Sequence, residues 1–242
     1  MQNMPWHERP IVRKVVLEDP MISLLFTAAL AQTPPVAAEM HERFQLSMQA
    51  RDHVIQGQLD EAKALAKQLR GVGSMPGAPA AWKPQLDALD TAATALSEAS
   101  DVGAAAKAVA TLGSVCGQCH GDTEGGPGLE GMRGVPPQKW SEGDNMPLHL
   151  WSVDWMWLGL IAPSSTAWQR GADELDAKPL ATMFGNDEKT AKQLETQVYA
   201  LAKKATALGD DAHADRAKVM GELLGTCATC HVLRDQAAPK EP

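Results

Sequence analysis

The sequence predicts an all-α fold made of two similar halves, and three observations predict it. Alanine- and leucine-rich stretches dominate, Ile, Tyr and Phe are scarce, and few runs show the period-two alternation that a half-buried strand needs. Residues 52–69, DHVIQGQLDEAKALAKQL, align without a gap on residues 158–175, LGLIAPSSTAWQRGADEL, matching Ile55 to Ile161 and Leu69 to Leu175 at an offset of 106. All four cysteines lie in two five-residue frames of one pattern, CGQCH at 116–120 and CATCH at 227–231.

The elements follow in order. Residues 1–31 read as a targeting segment: MISLLFTAALAQT from Met21 holds a ten-residue, mostly apolar run, Ile22 to Ala31, closing on Ala29-Leu30-Ala31 ahead of Gln32. That run is too short to span a bilayer. A short buried helix is the bland alternative. The residues before it mix Arg9, Arg13 and Lys14 with Glu8, Glu18 and Asp19, which leaves Met1 and Met21 both open as the start.

Residues 32–121 form the first half, with helices expected over about 36–56, 58–70, 82–99 and 101–120. Gly57, the loop GVGSMPGAPA and the capping pair Ser100-Asp101 separate them. Residues 122–143 are too rich in Gly and Pro for a helix and read as a linker. Residues 144–242 repeat the plan, with helices over about 147–162, 164–178, 187–208 and 211–233. Pro163 with Ser164 and Ser165, then FGND, then GDD, mark the breaks. Val102, Ala105, Val109, Leu112 and Cys116 share a stripe of the fourth helix, as do Ala217, Met220, Leu224 and Cys227 of its counterpart.

Formal net charge is −8, and no Lys/Arg cluster could follow a phosphate backbone, which excludes nucleic acid as a partner class. In an exported chain four cysteines would suggest disulfides. A zinc site built from all four, or a redox-active CxxC pair, are further readings. None of the three accounts for a histidine directly after both pairs, in a chain with 7 histidines in 242 residues. CxxCH is the attachment frame of haem c. On a helix, positions i, i+3 and i+4 share a face. Cys116 and Cys119 can therefore bond the two vinyl groups of one haem while His120 faces its iron, and Cys227, Cys230 and His231 can do the same for a second.

With CxxCH at the end of a fourth helix in each half, the chain resembles the class II, cytochrome c′-type four-helix-bundle cytochromes, here in tandem over about residues 36–121 and 144–233. The resemblance implies two up-down-up-down four-helix bundles, each with one covalent haem c. The first helix of such a bundle begins beside the end of the fourth, which brings Met40 and Met146 into question as distal ligands. The b-type relative of this bundle has a methionine ligand at an early position, so the resemblance implies Met/His coordination, with His120 and His231 as the proximal ligands. Plain core packing is the alternative for both methionines. His41 and His149 compete with them, and the position matching His149 in the first half is Arg43.

Other features are weighed beside these. Trp151, Trp155 and Trp157 suit a haem pocket or, more simply, core and inter-domain packing. His53 and His213 read as solvated or locally satisfied, and no carboxylate pair stands out as an acid/base couple. CGQCHGDTEGGPGLEG also resembles the class I cytochrome c pattern, with Met183 at its ligand position. Only 11 residues follow His231, however, so a second class I domain has no room.

The expectation is an exported, periplasmic dihaem cytochrome that carries single electrons between redox proteins with basic surfaces and has no stable membrane span in its mature chain. It is not expected to be an enzyme. With open distal sites the same bundle would bind NO or CO, and an open haem beside His149 would allow peroxidase-like chemistry.

Overall fold

The computed structural model describes residues 35–71, 75–129, 146–177 and 188–237. The targeting segment expected at 1–31, most of the linker expected at 122–143, and Met183 lie outside them. Among the described residues there are eight α-helices and no strand, so the fold is all-α. The helices are α1 (Pro35–Ile55), α2 (Leu59–Leu69), α3 (Lys83–Ser97), α4 (Val102–Asp122), α5 (Met146–Ile161), α6 (Ser165–Ala177), α7 (Glu188–Thr206) and α8 (His213–Ala237). A 3₁₀ turn at Ala80–Trp82 leads into α3.

Local chemistry sets the boundaries. Asp101 caps α4 by accepting the Ala104 N–H at 2.8 Å, and the Ser100 hydroxyl steadies that carboxylate at 2.9 Å. Ser164 Oγ accepts the Ala167 N–H at 3.2 Å and starts α6. At the end of α1 the Gly57 N–H donates to Val54 O at 3.0 Å and the Gln58 N–H to His53 O at 2.8 Å, closing a Schellman turn with Gly57 at φ +74°. A side chain at 57 would run into Val232 of α8, so glycine is required there on two grounds. The expected boundaries agree to within a few residues. The largest difference is at α8, which runs on to Ala237.

Within the first half α1 packs on α2, α2 on α3, α3 on α4, and α1 also meets α4. Helices α5 to α8 repeat those four contacts. The most extensive contact among the described helices lies between the halves, where α4 packs on α8. That seam is antiparallel. Gly117 meets the His213 ring, Gly221 meets Lys107 and Ala110, and Gly225 approaches Ala106 and Gly103. Small residues on both helices let the two backbones come close. One apolar core runs across the seam, with Ala106, Val109 and Ala110 of the first half and Trp157, Leu160, Met220 and Leu224 of the second all buried in it. A smaller cluster around Leu69, Leu86, Leu89 and Leu112 belongs to the first half alone.

Candidate functional site

Two cavities contain the two CxxCH frames. The first, of about 580 Å³, is lined by Cys116, Cys119 and His120 from α4 and by Met40 and His41 from α1. The second, of about 320 Å³, is lined by Cys227, Cys230 and His231 from α8 and by Met146 and His149 from α5. Both volumes lie within the range of small-molecule and cofactor sites. Met40, His41 and His120 therefore border the cavity of the first half, and Met146, His149 and His231 that of the second. Met40 and Met146 are half-buried, His149 is buried, and His41 is exposed. Arg43, which takes the place of His149 in the first half, borders the first cavity and pairs with Glu39 at 2.5 Å.

Each cavity also takes residues from the other half. Leu158 and Ile161 of α5 line the first, and Asp52 and Ile55 of α1 line the second. These pairs sit at the same offset of 106 as Met40 and Met146, so the exchange is reciprocal. α1 starts at the first cavity and ends at the second, and α5 runs from the second to the first over about 24 Å.

His120 is held from two sides. Its Nδ1 lies 2.8 Å from Ile161 O, and a carbonyl only accepts, so Nδ1 carries a proton and the lone pair of the neutral ring is the one on Nε2. Ile161 is the last residue of α5, where carbonyls have no partner inside the helix. Beyond α4 the chain turns back through a Schellman motif, with Gly125 N–H on His120 O at 3.0 Å and Glu124 at φ +50°. Gly126, at φ +99°, then lies against His120, where a Cβ would stand 2.6 Å from His120 Cγ.

His231 is placed differently. Its Nδ1 is buried with no hydrogen-bond partner among the described residues. Burial holds its pKa below the usual imidazole value, Arg234 adds to that and Asp235 opposes it, which favours the neutral ring a metal ligand requires.

The thiols bear on the competing readings. Removal from water pushes Cys116 up to about 12, with the Cys119 thiol adding to the shift, and pushes Cys227 up to about 12 with Cys230 adding. Burial also raises Cys119 and Cys230. A redox-active dithiol requires the opposite shift. The two pairs border different cavities, so they do not assemble a four-cysteine zinc site, and no cluster of three or more metal-binding side chains occurs among the described residues.

At the contact between the halves Arg51 is 1% exposed. It donates to Asp52 at 2.9 and 2.6 Å and to Asp154 at 2.6 Å, and it lies over the Trp157 ring. Burial opposes its charge, but the two carboxylates outweigh that and raise its pKa. Trp151, Trp155 and Trp157 border neither of these two cavities. Trp157 is fully buried against Gly113, while Trp151 and Trp155 meet at a tilt of 49° with centroids 5.7 Å apart and Arg170 over both. His53 is satisfied locally by Gln58 at 2.5 Å. His213 is not local: its Nε2–H crosses the seam to Ser114 O at 2.9 Å.

Sequence reasoning missed the reciprocal lining and the hold of Ile161 on His120. The match of Ile55 with Ile161 was visible as a repeat, but nothing in it tells which half each isoleucine serves. Gly113-x-x-x-Gly117 and Gly221-x-x-x-Gly225 were the readable signal for the seam.

No helix among the described residues is long and apolar enough to cross a membrane. Compared with protein-family models, with curated proteins and with solved structures, the chain matches none of them.

Proposed function

We propose that this chain is an exported dihaem c-type cytochrome that carries single electrons between periplasmic redox proteins, on two tandem four-helix bundles. The observation that carries the reading is the repeated donor set: each cavity is bordered by two cysteines, the histidine that follows them and a methionine from the start of a helix in the same half.

The residues present suit a haem. The apolar walls of the first cavity, its two thiols, and a histidine whose Nδ1 is engaged and whose Nε2 is free are what a covalently held, His-ligated porphyrin requires. Cys116, Cys119 and His120 would hold one group, and Cys227, Cys230 and His231 the other, with Met40 and Met146 as distal ligands. A haem so bound supplies a one-electron Fe(III)/Fe(II) couple. The chain's own part is to fix the imidazoles, exclude water with both halves, and offer thioether sulfur, which favours the reduced state. The net charge of −8 favours partners with basic surfaces and association that slows as salt rises.

Carbon monoxide tests the reading. With both methionines ligating, reduced protein is expected to keep its optical spectrum under CO, and Met40→Ala and Met146→Ala are each expected to open one site. Stoichiometric CO binding at both sites of the unmodified protein, with spectra insensitive to both substitutions, would replace the electron carrier by a gas-binding protein on the same scaffold.

A further inference from the structure

The two halves close α1 and α5 with equivalent bonds, Gln58 N–H on His53 O at 2.8 Å and Ser164 N–H on Gly159 O at 3.0 Å, but with different breakers. After α1 the chain uses Gly57 at φ +74°, a conformation proline cannot adopt, and at the equivalent position after α5 it uses Pro163. Pro163 has no N–H, so the bond of Gly57 to Val54 O has no counterpart at Leu160 O; the next carbonyl, that of Ile161, is taken by His120 Nδ1–H from the other half. No corresponding bond reaches Nδ1 of His231.

We propose that the Ile161 carbonyl, at the C-terminal end of α5, is a positioning group that the second half supplies to His120, and that it makes the two haem sites electronically unequal, the first holding its electron less tightly. The proposal rests on the haem reading above.

The physical argument has three parts. A hydrogen bond from Nδ1–H to a carbonyl strengthens the other ring nitrogen as a donor, which stabilises the oxidised metal. The C-terminus of a helix carries partial negative charge, which acts in the same direction. Charged side chains bordering the cavities are largely matched: Arg43 pairs with Glu39, Asp52 with Arg51, and Asp235 with Arg234. Asp154, the second partner of Arg51, borders neither cavity. Arg43 in the place of His149 and the larger first cavity also distinguish the sites, but the histidine bond is the difference that acts on the ligating ring itself. Gly126 maintains it, because a side chain there would displace the ring.

Potentiometric titration of the full-length holoprotein is expected to give two one-electron waves about tenfold apart in equilibrium constant, the worth of roughly one hydrogen bond, or about 59 mV. Met40→Ala and Met146→Ala assign the lower wave to the first site. Gly126→Ala and Gly126→Ser, which put a side chain against the His120 ring, are each expected to move the lower wave toward the upper and leave the upper in place. Should either variant fail to fold, ¹⁵N-histidine NMR of the unmodified reduced protein decides: the His120 Nδ1 proton should lie downfield of the His231 Nδ1 proton. Coincident waves, equal Nδ1 protons, or variants that move the upper wave would overturn the inference while leaving the dihaem reading intact. A chain that carries no haem would overturn both.

Discussion

Arg51 and Trp157 occupy equivalent positions in the two halves and touch each other, the guanidinium carbon lying 5.6 Å from the indole centroid. Equivalent residues meet only where a local two-fold axis passes, as in the self-complementary interface of a symmetric dimer. Ala110 and Gly221, related by the 111-residue offset of the CxxCH frames, are a second such pair: a Cβ built on Gly221 would be 3.5 Å from that of Ala110. The two halves therefore pack as an internal pseudo-dimer, and each closes the other's cavity.

Removing Arg51 should show what that axis contributes. Arg51→Ala abolishes the stack on Trp157 and leaves Asp52 and Asp154 facing each other, at 43% and 38% side-chain exposure. Breaking a fully buried pair costs about 3–5 kcal/mol; with both carboxylates partly in water, about 2 kcal/mol is expected here. Arg51→Lys should recover only part of this, since an ammonium cannot make the forked contact. Urea unfolding checks both, and a change below about 0.5 kcal/mol for Arg51→Ala would contradict the role given to the axis.

The glycines of the seam should divide sharply. An added methyl at Gly117 meets the Leu160 carbonyl and the His213 ring, so Gly117→Ala is expected to destabilise by about 1–3 kcal/mol despite its better helix propensity. At Gly225 the nearest atom to a new Cβ is 3.7 Å away, an ordinary contact, and Gly225→Ala should stabilise by up to about 1 kcal/mol. Thermal unfolding of the two variants in parallel separates these outcomes.

Much of this architecture is legible in the sequence, for identifiable reasons. Helix ends announce themselves through Asp101, Gly57 and Pro163, because capping and breaking are local chemistry. The CxxCH residues, Met40 and Met146 could be placed because their spacing and order fix which end of which helix they occupy. The second buried face of α4 was not read. Ala106, Ala110, Gly113 and Gly117 look like ordinary small residues until α8 is laid on them, and the four-residue glycine spacing shared by the two helices marks a close-packing face without telling which helix covers it. His213 illustrates the same limit: its partner, Ser114 O, is a backbone atom 99 residues away.

Acid sensitivity should trace in part to Asp101. Its hydrogen bonds from Ala104 N–H and Ser100, with a smaller contribution from Lys107, hold its carboxyl below the usual carboxylate value. A depressed pKa gives stability that is present above the unfolded-state value and is lost as pH falls through the folded one. Asp101→Asn keeps a capping oxygen, so it should unfold near the normal temperature at pH 7 and lose less stability than the unmodified protein on going to pH 3. Asp101→Ala should be destabilised at pH 7. Identical pH slopes for the Asn variant and the unmodified protein would remove Asp101 from the account.

The account as a whole depends on what the two CxxCH frames hold. Acid-acetone extraction of protein produced in a host that matures c-type cytochromes, followed by haem quantification on the precipitated chain, measures this most directly. Two haems per polypeptide are predicted to stay with the chain, with loss of one in Cys116→Ala/Cys119→Ala and of the other in Cys227→Ala/Cys230→Ala. Haem that extracts freely, or a chain that binds none at either frame, would contradict the central claim.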